Sequence, residues 1–187
     1  MIINQKQRIM KILKRILLGL LSLIILALIV ALFVKKDFAV EREIAINKPK
    51  QEVFDYIKLL KNQPNYSVWA KKDPNAKMEF KGVDGTPGFV SSWDGNSDVG
   101  KGEQQIKKVT EGERLDLDLH FIKPMDSHAD AYFTTDSLAS NQTKVKWGIN
   151  GKMMYPFNIM RLFMSMDKMM GKDLEGGLNN LKGILEK

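Results

Sequence analysis

Nineteen consecutive residues without a charge, ILLGLLSLIILALIVALFV from Ile16 to Val34, constrain this chain more than any other feature, and only Gly19 and Ser22 interrupt the aliphatic run. As an α-helix such a stretch is about 28 Å long, close to the hydrocarbon thickness of a bilayer. A cleavable signal peptide has a shorter apolar region, about 7–15 residues, and a small-x-small cleavage site. Ala27-Leu28-Ile29-Val30-Ala31 supplies no A-x-A pattern, and a chain with no cysteine has no lipoprotein anchor. An uncleaved transmembrane helix over 16–34 is therefore expected, with a cleaved signal peptide as the alternative.

Charge sets its orientation. Lys6, Arg8, Lys11, Lys14 and Arg15 precede the run, and only Lys35 and Lys36 follow it directly, before Asp37, Glu41 and Glu43 dilute them. The positive-inside rule then keeps the basic tail, residues 1–15, in the cytoplasm and places the rest outside it. The chain's net charge of +7 comes from 29 Lys+Arg against 22 Asp+Glu, and residues 1–36 contain all of the excess. Beyond them 22 cations meet 22 acids, which argues against a nucleic-acid partner for the folded part. Without cysteine there is also no disulfide scaffold, thiolate catalysis or iron–sulfur ligation.

The remainder, 38–187, alternates in a way that fits an α+β domain. Phe38–Ile46 reads as a strand with Val40, Ile44 and Ile46 on one parity. Asn47-Lys48-Pro49 offers a capping side chain and a first-turn proline for a short helix carrying Val53, Phe54 and Ile57. Six further strands follow, separated by turn signals such as Asp84-Gly85, Asp94-Gly95 and Glu111-Gly112. In the clearest of them Leu115, Leu117, Leu119 and Phe121 alternate with Asp116, Asp118 and His120. Each strand has one apolar and one polar face, as in a sheet covered on one side. The cover is expected from one long helix over 156–186, with Ile159, Phe163, Met166, Met170, Leu174 and Leu181 at helical spacing.

Several segments resemble a known superfamily: Glu41–Pro49 leading into Val53-Phe54, Tyr66–Trp69, Trp93-Asp94-Gly95, Gly100-Lys101-Gly102, and above all MSMDKMMGKDLEGGLNNL at Met164–Leu181. They are similar to the START-like, polyketide-cyclase-type SRPBCC proteins, in a bacterial subgroup of broadly lipid-transport-like character. The resemblance covers about residues 38–187 and implies the helix-grip fold, a curved antiparallel sheet of about seven strands wrapped on a long C-terminal helix. It implies a cavity rather than a catalytic motif.

A helix gripped by a curved sheet leaves a hollow suited to an apolar ligand. The apolar parity would line it with Phe89, Trp93, Leu117, Phe121, Phe133 and Trp147, and Trp69 joins them from the helical connection. Phe163, Met166 and Met170 would face it from the covering helix. Seven of the eleven methionines fall between Met153 and Met170, where flexible side chains can adapt to varied ligands. Each of these residues has core packing as its competing role. Gln104 and Ser91 share the inward parity, so a polar group points into an apolar space, to be satisfied by a ligand, by solvent or by backbone.

His120 and His128 fall opposite each other if the hairpin turns at Pro124, but on the polar parity with Asp116, Asp118 and Asp130. No metal-ligand spacing and no hydrolase or phosphate-loop signature accompanies them, so neither a metal nor a cofactor is expected. The expected function is binding of an apolar small molecule or lipid by a membrane-tethered domain. The alternatives are a cyclase-like or hydrolase-like enzyme, with Gln104 and Tyr155 as its best polar candidates, and an envelope protein-interaction module.

Overall fold

The structure is a computed structural model that describes residues 2–187, with side chains from residue 7 onward; Met1, the first residue of the basic tail, lies outside the described residues. The chain resolves into two units, residues up to 36 with 153–164, and residues 37–152 with 165–187.

In the first unit, α1 runs without interruption over Ile2–Phe33, so the basic tail continues the apolar helix rather than preceding it as coil. Gln7–Phe33 is long and apolar enough to cross a membrane, a property shared with signal sequences. Its aliphatic side chains are exposed almost throughout. The only polar residue in the apolar run, Ser22, returns its hydroxyl to the Leu18 carbonyl at 2.8 Å, which hides the group inside the helix.

The second unit is built on a seven-stranded antiparallel sheet. After β1 (Asp37–Ile46) come α2 (Lys50–Ile57), a 3-10 turn at Leu60–Asn62, α3 (Gln63–Tyr66) and α4 (Val68–Lys72). Then follow β2 (Lys77–Lys81), β3 (Val90–Asp94), β4 (Lys101–Thr110), β5 (Arg114–Lys123), β6 (Ser127–Ala139), β7 (Gln142–Lys152) and finally α5 (Met166–Leu185). The spatial order is β1-β7-β6-β5-β4-β3-β2, so the meander β2–β7 closes onto β1 and leaves β1 and β2 as the edges. The register pairs His120 with His128, as the turn at Pro124 requires. Slips at Lys101/Gly102 and Ile106/Lys108 bulge β4 against β5, and such bulges bend a strand.

Alternation divides the faces. Leu115, Leu117, Ala131, Phe133, Val145, Trp147 and Ile149 are buried on one side, where Val53, Ile57 and Leu60 meet them. From α5, Leu174, Leu178 and Leu181 complete the core at spacings of four and three residues, one stripe of a helix. Two glycines let α5 approach. A Cβ on Gly177 would stand 2.6 Å from the Trp147 ring, and one on Gly171 would run into the Arg42 guanidinium.

Two expectations need correction. Pro156–Glu186 is not one helix: a 3-10 turn occupies Phe157–Leu162, and α5 starts afresh at Met166 with Ser165 as its N-cap, accepting from the Lys168 N–H at 3.3 Å. The break coincides with the bonds that Asn158 makes to the end of α1 (below). At α2, Pro49 occupies the cap position and no side chain caps the helix. Asn47, expected there, instead accepts from Gln142 Nε2 at 3.0 Å.

Candidate ligand cavity

The concave side of the sheet has an aromatic floor. Phe133 and Trp147, neighbours across β6 and β7, stack with centroids 4.7 Å apart. Tyr66 stands edge-on to both, at 6.4 and 5.9 Å, and Trp69 is edge-on to Trp147 at 5.8 Å. The tyrosine and tryptophan arrive from α3 and α4, whose chain is held by Asn180 Nδ2 donating to the Tyr66 carbonyl at 3.0 Å.

Into this apolar space the fold places a small set of polar atoms. The Tyr66 hydroxyl is fully buried and has no hydrogen-bond partner among the described residues, and neither has Ser91 Oγ. Burial holds the Tyr66 phenol far above its ordinary pKa, so it stays protonated and able to donate. Ser91 sits opposite Gln104 across β3 and β4, and Gln104 Nε2 donates to Gln63 Oε1. Gln63 and Tyr66 lie three residues apart in α3, so the two polar groups enter from one turn of helix.

The partner of Gln104 is therefore a side chain, which alternation along β4 alone does not reveal. Tyr66 stands out in the sequence only as part of a family-like segment; nothing in its own spacing marks a buried hydroxyl. A third inward position does carry a signal: Arg42 lies between Val40 and Ile44 on the apolar parity of β1, opposite Trp147. Its guanidinium grips Asp167 at the start of α5, with both carboxylate oxygens at 2.8 and 3.0 Å. That hydrogen-bonded pair raises the Arg42 pKa and lowers that of Asp167. Asp167 therefore serves a clamp between α5 and β1.

The apolar surface continues to solvent at the β2 edge. The register sets Met78 beside Trp93 and Phe80 beside Ser91, so all four share the concave face. Met78 is 37% and Phe80 42% exposed, whereas Phe89, stacked on Phe80 at 6.1 Å, is buried. Trp93 is half-buried, edge-on to Phe121 at 6.2 Å, with its indole N–H donated to the Val99 carbonyl at 3.1 Å. Lys61 Nζ lies 5.5 Å above the Phe80 ring.

Of the residues read as cavity lining, Phe89, Leu117, Phe133 and Trp147 are buried in the same core as Tyr66; Trp69 and Phe121 pack against it, Gln104 is buried opposite Ser91, and Trp93 is half-buried against Phe121. Met166 and Met170 are partly buried against the core. Phe163 is the exception. It precedes α5 in the other unit and is 84% exposed, because the helix break removes it from the stripe to which helical spacing assigns it. Tyr155 likewise lies in the first unit, exposed.

The convex face carries the charge. Tyr132 donates to Glu41, whose carboxylate also meets Lys146 at 3.3 Å, and Arg114 lies 4.3 Å over the Tyr132 ring. Here too are the histidines: ligand atoms of His120, Asp126 and His128 lie within 4.8 Å of one another. The two imidazoles stack with centroids 4.2 Å apart and planes 8° from parallel. Ring-nitrogen lone pairs lie in the ring planes, so one ion cannot take both rings as they stand.

No protein-family model matches the chain, and no curated protein matches it in sequence. Its architecture does have counterparts among solved structures. A truncated norcoclaurine synthase from Thalictrum flavum superposes with a TM-score of 0.57 at 10% identity, over 81% of this chain and 95% of its own. Ara h 8.0201 does so at 0.53 and 14%, over 80% and 97%. The di-domain ARO/CYC StfQ from the steffimycin biosynthetic pathway matches at 0.58 and 7%, over 81% of this chain and 51% of its own. At such identities the likeness speaks for the fold alone: the chain shares the helix-grip fold of these counterparts.

Proposed function

We propose that this chain is a membrane-tethered helix-grip domain that binds an apolar or amphipathic small molecule, a lipid among the candidates, in the hollow between its sheet and α5. One observation carries the reading: the Tyr66 hydroxyl and Ser91 Oγ are buried with no hydrogen-bond partner among the described residues. A buried polar group of this kind is ordinarily hydrogen-bonded, and the polar head of an otherwise apolar ligand would serve both. The apolar face running out past Phe80 and Met78 supports a route of entry at the β2 edge. The apolar helix Gln7–Phe33 supports the tether, with the basic tail in the cytoplasm.

Native mass spectrometry of the full chain, released from neutral detergent, tests the reading. An adduct of lipid mass retained by the native protein and lost in Tyr66→Phe/Ser91→Ala is expected. A reproducibly empty protein whose tryptophan fluorescence no brominated fatty acid or phospholipid quenches would overturn it.

The synthase among the structural counterparts supports a second reading, an enzyme in the same hollow. Positioning a flexible substrate and supplying one donor is enough for some catalysis, and Tyr66 is the donor available. Gln104→Leu separates the two: turnover is abolished on the second reading, and only ligand preference changes on the first.

A further inference from the structure

An α-helix ends with backbone carbonyls that lack helical partners. In lipid such groups are costly unless the protein satisfies them. The end of α1 is satisfied by a segment far away in sequence. Asn158, fully buried, donates through Nδ2 to the Ala31 carbonyl at 2.6 Å and the Val34 carbonyl at 2.8 Å. Arg161 Nη1 reaches the Lys35 carbonyl at 2.7 Å, and the Met153 N–H donates to the Lys36 carbonyl at 2.9 Å.

These bonds fix the depth of the segment 153–164: it lies level with the last turn of α1, where the apolar run gives way to Lys35 and Lys36. At that level it turns apolar side chains outward. Met154, Phe157, Met160, Leu162 and Phe163 are exposed, together with Leu32 and Phe33 of α1 itself. Tyr155 and Arg161 complete a composition typical of the membrane–water boundary. A surface of this kind in water would be a liability; beside a spanning helix it is continuous with a lipid-facing one.

We infer that residues 153–164 are a second membrane contact, with Phe157, Met160 and Phe163 inserted at the headgroup–acyl boundary of the leaflet in which α1 ends. The segment would then hold the chain to the bilayer at two points and restrict its swivel about a single helix. The inference rests on the tether reading, and its test is arranged so that the two fail differently.

Because the chain has no cysteine, single spin labels can be placed cleanly in the full-length protein, reconstituted in phosphatidylcholine–phosphatidylglycerol vesicles. Labels go at Phe157→Cys, Met160→Cys and Phe163→Cys, with Leu21→Cys in mid-α1 and Leu138→Cys on exposed β6 as references; far-UV circular dichroism confirms each variant's fold. Collisional relaxation by oxygen and by a water-soluble nickel chelate reports the surroundings. The expected result is oxygen preference at 157, 160 and 163, intermediate between lipid-like 21 and aqueous 138. If 21 is lipid-like while the three labels match 138, the second contact is overturned and the tether stands. If the three are shielded from both reagents, a protein partner covers them, and the inference also falls. If 21 itself is aqueous, tether and contact fail together.

Discussion

A phenol oxygen buried without a protein partner, as at Tyr66, forfeits about 1–3 kcal/mol relative to its hydrated state. Tyr66→Phe is therefore expected to leave the ligand-free protein as stable as before or more so, by about 1 kcal/mol, while weakening the binding of polar-headed ligands. Thermal unfolding checks this; a clear loss of stability would mean that the hydroxyl has a protein partner. Gly177 gives the opposite sign. Its Cβ would meet Trp147 at 2.6 Å, so Gly177→Ala overpacks the seam between α5 and the sheet and should destabilise by about 1–3 kcal/mol in chemical denaturation. Tyr132 responds to pH. Burial, and then its bond to Glu41, push its pKa up to about 12. A phenol whose folded pKa is raised contributes stability fully present below about 10, the unfolded value, and lost as pH rises toward the folded one. Carbon-13 signals of the tyrosine ring, assigned through Tyr132→Phe, should show it still protonated at pH about 10. Glu41 has the acid-side counterpart. The Tyr132 bond holds its carboxyl below the usual 4.5, so its contribution is present above that value and fades as pH falls below it.

Elements show why part of this architecture is legible in the sequence. Strands β4–β7 can be read from period-two alternation because one face meets a core and the other water, and that contrast is written residue by residue at Leu115 through Phe121. The register of the β5–β6 hairpin follows from its turn. Closing helix α5 is legible from Met166 onward, where Leu174, Leu178 and Leu181 form its buried stripe. Leu178→Ala should cost about 2–5 kcal/mol in global unfolding, because it leaves a core site unfilled. Residues 156–165 mislead because their apolar residues also fit helical spacing, and periodicity does not say what buries them. A hydrogen bond from Asn158 to a helix 127 residues away leaves no local trace. The same holds for the site: Trp147 and Phe133 read as inward, but the Gln63–Gln104 bond and the buried Tyr66 hydroxyl depend on how α3 docks. Asn158→Ala, which removes the donor to the Ala31 and Val34 carbonyls, should lower the local stability of the segment by about 1–3 kcal/mol. Hydrogen exchange reads this as faster exchange of the Asn158 and Ile159 amides, which now bond to the Met154 and Pro156 carbonyls.

At the scale of the whole molecule, charge is unevenly partitioned, with the excess on and beside α1 and the remainder balanced. On the tether reading, orientation should then depend on a few residues. With a C-terminal reporter active only outside the cytoplasm, the native chain is expected to score active, and Lys11→Gln/Lys14→Gln/Arg15→Gln to lose part of that signal. A uniformly inactive reporter would reverse the assignment of sides. The hydrogen bonds that finish α1 also impose an order in time. Synthesis proceeds at about 5–20 residues per second, so the 124 residues from Lys35 to Asn158 take roughly 6–25 s to appear. Throughout that interval the helix is already made while its final carbonyls await their donor. A nascent chain halted before residue 158 thus carries a helix whose end lacks these donors, and only a chain translated past it can complete that end.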